Sequence, residues 1–314
     1  MTSLTPKPSR AAGAMALIAL AAALNLAISL WVRAQVPHWL PVQASSAAPH
    51  VDGLFALETA IGMFLFLGCL EVILWTVLFN RADKYDLENG APIEGNWSLE
   101  IVWTIIPFVI VMAIAWHTMG VNDTLANLGG KERVSGDQQA LQVAGSAAID
   151  RPAAIGPIEV IARQWSWEFV YPDGLRSAEL HLPVDRPAQF ELVSLDVLHS
   201  FFIPAFRLKQ DIIPGSVIRY RLTPTRIGTY RLRDAMFSGG YFASNQTNVV
   251  VQSEADFAAW LNQAARQPLR PSWNPATELY QRRLKDGDRG WAVVEPAPPP
   301  MVQVGLDPET RHEA

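Results

Sequence analysis

Three long apolar runs near the start of the chain constrain its fold more than any other feature. The first is "AAGAMALIALAAALNLAISLWV" (Ala11 to Val32). The second is "LFALETAIGMFLFLGCLEVILWTVLF" (Leu54 to Phe79), and the third is "IVWTIIPFVIVMAIAWHTM" (Ile101 to Met119). A helix that crosses a bilayer needs about 20 apolar residues, so each run is long enough. The apolar residues crowd the first third of the 314-residue chain. A membrane part followed by a water-soluble part is therefore expected. No long alternation suggests a membrane barrel.

The first run follows Lys7 and Arg10, and a basic start before an apolar segment also describes a signal peptide. The run is longer than the usual signal core and "VRAQ" is a poor cleavage site, so a retained helix is expected, with a cleaved signal as the alternative. Lys7 and Arg10 before the first run, and Arg81 and Lys84 between the second and third, place those segments in the cytoplasm. Everything after about residue 120 then lies on the other side. Glu71 stands inside the second run, and an intramembrane carboxylate is costly. The expectation is a Glu that faces a partner subunit, since nothing nearby in sequence pairs with it. Glu100 opens the third run, where Ser98 as N-cap and Glu100 in the first turn would suit the helix dipole.

Residues 121–156 read as a linker. From Ile158 onward, short stretches rich in β-branched and aromatic residues follow one another between Gly and Pro breaks. They are "IEVIARQWSWEFVYP", read as one strand and a turn, then "AELHLPV", "AQFELVSL", "SVIRYRLTP", "GTYRLRDA" and "NQTNVVVQ". Regular short strands of this kind predict a β-sandwich or small barrel. "EADFAAWLNQAARQ" reads as an amphipathic helix with Phe257, Trp260 and Leu261 on one face. The Pro-rich tail from Pro268 is expected to pack loosely.

The net charge of -5 gives no support for nucleic-acid binding. The single cysteine, Cys69, lies in the second apolar run. No intrachain disulfide is possible, and any site that needs two thiolates is excluded.

Taken in order, "LEIVWTIIP", "RQWSWEFVYPDG", "VLHSFFIPAF", "DIIPG" and "GTYRLRDAMFSGGYFASNQTNVVV" resemble subunit II of the haem–copper terminal oxidases, from about Val51 to Gln252. The resemblance implies an α plus all-β architecture. Its parts are an N-terminal helix and loop (1–50), a transmembrane hairpin (51–120), a linker (121–156), a cupredoxin-like domain (157–252) and a helix with a Pro-rich tail (253–314).

In the cytochrome c oxidases of that family, the domain carries a binuclear copper centre. Its ligands are a His in the "VLHSF"-like segment and a loop of Cys, Glu, Cys, His and Met. Here His199 matches the first His, but Arg233 and Phe237 stand at the two Cys positions. Ala235 stands at the Glu, Tyr241 at the second His and Ser244 at the Met. One position of six is kept, and Arg and Phe do not bind copper. His199 is therefore expected to be a structural strand residue, and no metal is expected in this chain.

The branch of the family without that centre resembles the quinol oxidases, and "VDGLF", "PIEGN" and the extra first helix resemble the cyanobacterial alternative respiratory oxidases. The resemblance implies haem and copper on a partner subunit I, a further subunit III, quinol used through subunit I, and a bacterial plasma or thylakoid membrane with the C-terminal domain periplasmic or lumenal. It also places Glu100, before Trp103, Thr104 and Pro107, at the entrance of a proton channel. Trp165 and Trp167, with no copper behind them, are read as core and interface aromatics. Arg207, Lys209, Arg219, Arg221, Arg226, Arg231 and Arg233 make the stretch before Asp234 basic, which does not suit docking of a basic cytochrome c. Two alternatives stay open: a cofactor-free assembly module with the same fold, and a cytochrome c oxidase subunit with another route for electrons.

Overall fold

The computed structural model describes residues 8–79, 95–128, 133–134, 153–269 and 275–287. Lys7, Arg81, Lys84, most of the expected linker and most of the tail lie outside them. The chain divides into two compact units.

The first unit is helical. Helices α1 (Pro8–Trp39), α2 (Ala48–Phe79) and α3 (Trp97–Asn127) contain the three apolar runs; α1 and α3 extend them at both ends and α2 at its start. Each is long and apolar enough to cross a membrane. Most of their large apolar side chains are exposed. A helix that is apolar all round needs lipid or another protein around it. On α1 the buried residues are Asn25, Ser29, Val32 and Val36, spaced 4, 3 and 4 apart. That spacing is one helix face. The helix runs unbroken through "VRAQ".

Two expectations change here. Asn25 Nδ2 donates to Glu71 Oε2 at 3.0 Å, so Glu71 does have a partner, supplied by α1 from 46 residues away. The cap of α3 is Asn96 rather than Ser98: Asn96 Oδ1 accepts from Leu99 N at 3.2 Å, and Ser98 already lies within the helix. Asn is as good a cap as Ser, because its short side chain reaches an unsatisfied amide of the first turn.

The second unit is a two-sheet sandwich. Its strands are β1 (Arg133–Val134), β2 (Ile155–Arg163), β3 (Ser166–Val170), β4 (Arg176–Ser177), β5 (Leu180–Pro183), β6 (Ala188–Ser194), β7 (His199–Ile203), β8 (Leu208–Ile212), β9 (Ile218–Leu222), β10 (Gly228–Asp234) and β11 (Gln246–Gln252). One sheet runs β1-β9-β6-β2-β3-β4 and the other β5-β11-β10-β7-β8. The pairs β2–β6 and β5–β11 are parallel, so the sheets are mixed. This is the cupredoxin-like sandwich that the strand pattern and the resemblance imply.

Alternation sets the faces. In β6 every second residue from Ala188 to Ser194 is buried, and in β11 Thr247, Val249 and Val251 point inward. The core joins Trp167, Phe169, Phe190, Phe201, Leu232 and Val249 from both sheets. "IEVIARQWSWEFVYP" is two antiparallel strands rather than one. The chain reverses at Gln164 and Trp165, and Arg163 pairs with Ser166. The apolar texture continues through the turn because Trp165 is itself buried.

Helix α4 (Glu254–Ala264) is capped by Ser253, whose hydroxyl accepts from Asp256 N at 3.1 Å. It buries Phe257 and Trp260, and Trp260 stacks on His181 at 3.9 Å between ring centroids. The tail is more ordered than expected. It contains a helix, α5 (Pro275–Asp286), with Ala276 buried and Tyr280 against Trp165 at 5.3 Å. Pro41–His50 groups with this unit: Ala44 N donates to Ala205 O and Thr225 N donates to Ala44 O, both at 2.9 Å.

Candidate functional site

The loop between β10 and β11 (residues 235–245) and the start of β7 meet at one end of the sandwich. They meet because β7 and β10 pair in register, Asp234 opposite Phe201 and Arg233 opposite Phe202. His199, first residue of β7, is fully buried there.

Both imidazole nitrogens of His199 are engaged. Nδ1–H donates to Asp234 Oδ2 at 2.6 Å and Nε2–H donates to Asp196 Oδ1 at 2.8 Å. A carboxylate only accepts, so both nitrogens carry protons and the ring is an imidazolium. Burial alone would lower the His199 pKa. Its hydrogen bonds to Asp196 and Asp234, with their charges, outweigh that and push it up to about 9. Burial would likewise raise the Asp196 carboxyl. Its hydrogen bonds from His199 and from the Gln164 and Val197 amides hold it below the ordinary value instead.

Asp234 is the hub of this cluster. Its side chain is fully buried and accepts, besides His199, the amides of Ser200 (2.9 Å) and Met236 (3.1 Å), the Ser238 hydroxyl (2.9 Å) and the Asn245 amide (3.2 Å). These donors come from β7 and from both ends of the loop. One carboxylate thus ties the loop to the strand. A buried charge is tolerated only when paired and fully hydrogen-bonded, and this one is both.

The indoles of β3 and its preceding turn hold the loop from below. Trp165 Nε1 donates to Ser238 O and Trp167 Nε1 donates to Asn245 O, each at 3.2 Å. Gln164 Nε2 also donates to Ser238 O. Gly239 lies directly over this floor. It has φ +115°, and a Cβ there would stand 2.9 Å from the Trp165 ring, so any side chain is both strained and blocked.

The positions read as vestigial copper ligands do not converge. Arg233 and Ala235 are exposed. Phe237 is 72% exposed and packs on Phe242 at 5.3 Å between centroids. Tyr241 is buried edge-on against Trp165 at 5.3 Å, and Ser244 is buried with its hydroxyl donating to Tyr241 O at 2.7 Å. The donor set does not fit a binuclear copper centre. It offers no thiolate, and the one retained imidazole has both nitrogens bonded to carboxylates.

Reading the loop by ligand position passed over Asp234, which lies beside Arg233, and Asp196, three residues before His199. The available signal was simple. A carboxylate that follows Arg233 and leads into "AMFSGG" is a poor strand residue and needs a buried partner. Part of the basic stretch is also neutralised. Lys209 pairs with Asp211 at 2.7 Å and Arg219 pairs with Glu191 at 2.9 Å, while Arg207 keeps its charge and donates to the Pro204 and Pro41 carbonyls.

Glu100 is half-buried in the first turn of α3. Its amide donates to Asn96 O at 2.9 Å, and its carbonyl accepts the Thr104 hydroxyl at 2.8 Å. Its carboxylate turns back over Gly95, where a Cβ would stand 3.1 Å from Oε1.

Comparison with known proteins agrees with this architecture. A family model described as cytochrome C oxidase subunit II, transmembrane domain, matches residues 36–121, and one described as cytochrome C oxidase subunit II, periplasmic domain, matches residues 176–253. The cytochrome c oxidase subunit 2 of Thermostichus vulcanus is 35% identical over 279 residues, 78% of this chain and 85% of that protein. The protein of that name from Synechocystis sp. is 34% identical, over 77% and 80%. The quinol oxidase subunit 2 of Bacillus subtilis is 29% identical, over 66% and 61%. Membrane helices, sandwich and relatives agree that the chain belongs to the subunit II family of the haem–copper oxidases, with a transmembrane domain followed by a periplasmic one.

Proposed function

We propose that this chain is the subunit II of a quinol-oxidising member of the family and carries no copper centre. The observation that carries this reading is the fate of the one retained ligand. His199 is held as an imidazolium between Asp196 and Asp234, and the other five ligand positions hold Arg, Ala, Phe, Tyr and Ser. Without two thiolates the domain has no electron acceptor for a cytochrome c. Electrons then reach subunit I from quinol in the membrane. Haem and copper belong to subunit I, and this chain supplies scaffold and cap, with subunit III as a further neighbour. The relatives named quinol oxidase subunit 2 are consistent with this reading.

The competing reading is delivery from cytochrome c, the donor in the names of the Thermostichus vulcanus and Synechocystis sp. relatives. Oxygen uptake by the purified complex separates the two. The proposal expects uptake with quinol and none with reduced cytochrome c. Uptake with cytochrome c alone would overturn it, and a haem-free preparation would mean the fold serves assembly only.

Glu100 is proposed as the proton entrance toward subunit I. A carboxylate at the membrane edge, seated on a helix start and only half-buried, can pass protons between water and a buried relay. Glu100→Ala is expected to slow turnover about tenfold or more while the haem content per complex stays unchanged. Unchanged turnover would remove Glu100 from this role.

A further inference from the structure

We propose that the turn between β9 and β10 rests on the membrane surface, where Arg226 pairs with the phosphate of an anionic phospholipid and Ile227 faces the lipid beside it. The proposal does not depend on whether quinol or a cytochrome delivers the electrons.

The connection between α1 and α2 carries the argument, because Pro41–His50 forms a strap on the sandwich. Ala44 N donates to Ala205 O and Thr225 N donates to Ala44 O, both at 2.9 Å, and Ser46 N donates to Thr223 O at 3.0 Å. Ser45 Oγ donates to Phe206 O at 2.8 Å, and the Arg207 guanidinium donates to Pro41 O at 2.6 Å. Ala44 is fully buried and belongs to the main core. The strap is thus a fixed part of the sandwich.

Both ends of the strap run into helices long and apolar enough to cross a membrane. The apolar run of α1 ends at Val32, seven residues before Trp39, and that of α2 begins at Leu54, six residues after Ala48. At 1.5 Å per residue the ends of the strap stand within about 10 Å of the hydrocarbon, and nearer where the helices tilt. The headgroup layer is itself about 5–8 Å thick, so the strap lies at its outer edge. Direction then matters. The strap runs antiparallel to residues 223–225, with Ser45 opposite Pro224. The path from Ala44 back to Pro41 leads into α1, and the opposing chain runs the same way from Thr225 to Arg226 and Ile227. The tip of the turn is carried toward lipid.

Its chemistry suits that place. Thr225, Arg226 and Ile227 are all exposed, Ile227 by 59%. Val42 and Pro41 add exposed apolar surface on the strap. Arg226 makes no ion pair among the described residues, not even with Asp185, whose amide donates to Pro224 O at 2.8 Å. Arg207, bonded to the Pro204 and Pro41 carbonyls, adds its charge nearby. A guanidinium fork matches phosphate oxygens, and an anionic leaflet attracts basic side chains held close to it.

The test uses the purified oxidase complex with the full chain, in nanodiscs of phosphatidylcholine alone or mixed with phosphatidylglycerol. Cys69→Ser removes the chain's own thiol, and Ile227→Cys supplies one for an environment-sensitive fluorophore. The Cys69→Ser complex without Ile227→Cys gives the background. A nitroxide on the lipid headgroup is expected to quench the label more than a nitroxide in the water, and phosphatidylglycerol to raise that quenching about twofold. Arg226→Gln is expected to remove the phosphatidylglycerol effect at unchanged haem content. A label reached better from the water, or one shielded from both quenchers by another subunit, would overturn the proposal. So would headgroup quenching that is indifferent to phosphatidylglycerol or to Arg226→Gln.

Discussion

The helical unit links α1 to α2 through a hydrogen bond from Asn25 to Glu71, whereas the sandwich ties a loop to a strand with a cluster of two carboxylates and an imidazolium. The difference follows from solvent. In the helices every backbone group is satisfied within its own segment, so side chains need only pack, and one amide suffices to hold one carboxyl. In the sandwich a loop must be fixed to a strand. Asp234 does this with five hydrogen bonds and His199 supplies the positive charge.

The largest effect is expected at that hub. Asp234→Ala leaves a buried cation with one carboxylate and five donors without an acceptor, and breaking a buried pair in this way costs about 3–5 kcal/mol. A fall of many degrees in the melting of the sandwich, followed by tryptophan fluorescence in the full chain, is the expected result. A loss below about 1 kcal/mol would mean the loop is held by packing alone.

Titration sharpens the contrast between the units. His199 is held at about 9 in the folded chain, against about 6.5 when unfolded. A raised folded value contributes stability that is complete below pH 6.5 and is lost as pH rises through 9. Its size is on the order of 3 kcal/mol. Asp196, held low, acts in the opposite sense: its contribution is present above its unfolded value and lost as pH falls through its folded one. The sandwich should therefore melt lower at pH 9.5 than at pH 6, and His199→Gln should flatten that dependence.

Smaller effects test the supports. Trp167→Phe removes one of two donors to Asn245 O, which still accepts the Asp234 amide at 3.0 Å, and is expected to cost only about 0.5–1.5 kcal/mol. Asn25→Leu removes one hydrogen bond inside the membrane and is expected to cost only about 0.6 kcal/mol, since such contacts are weak there. An Asn25→Leu effect as large as that of Asp234→Ala would erase the distinction between the two units.

The helices and most strands were readable because their signals are local. Apolar length marked α1 to α3, and alternation marked β6 and β11. The contacts that give the chain its character are not local. Asn25 and Glu71 are 46 residues apart, and His199 and Asp234 are 35 apart, so neither partner was visible beside the other. The β2–β3 reversal hid because Trp165 keeps the apolar texture running through the turn. Reading the loop as lost ligands noticed what Arg233 and Phe237 cannot do. It missed what Asp234, one residue along, does instead.

The most direct test of the central claim is low-temperature electron paramagnetic resonance of the purified, haem-containing complex, with copper counted per haem. The account predicts only the copper of subunit I and no mixed-valence binuclear signal. A mixed-valence signal that disappears with His199→Gln would contradict it, because His199 would then be a ligand and not the charge that takes a metal's place.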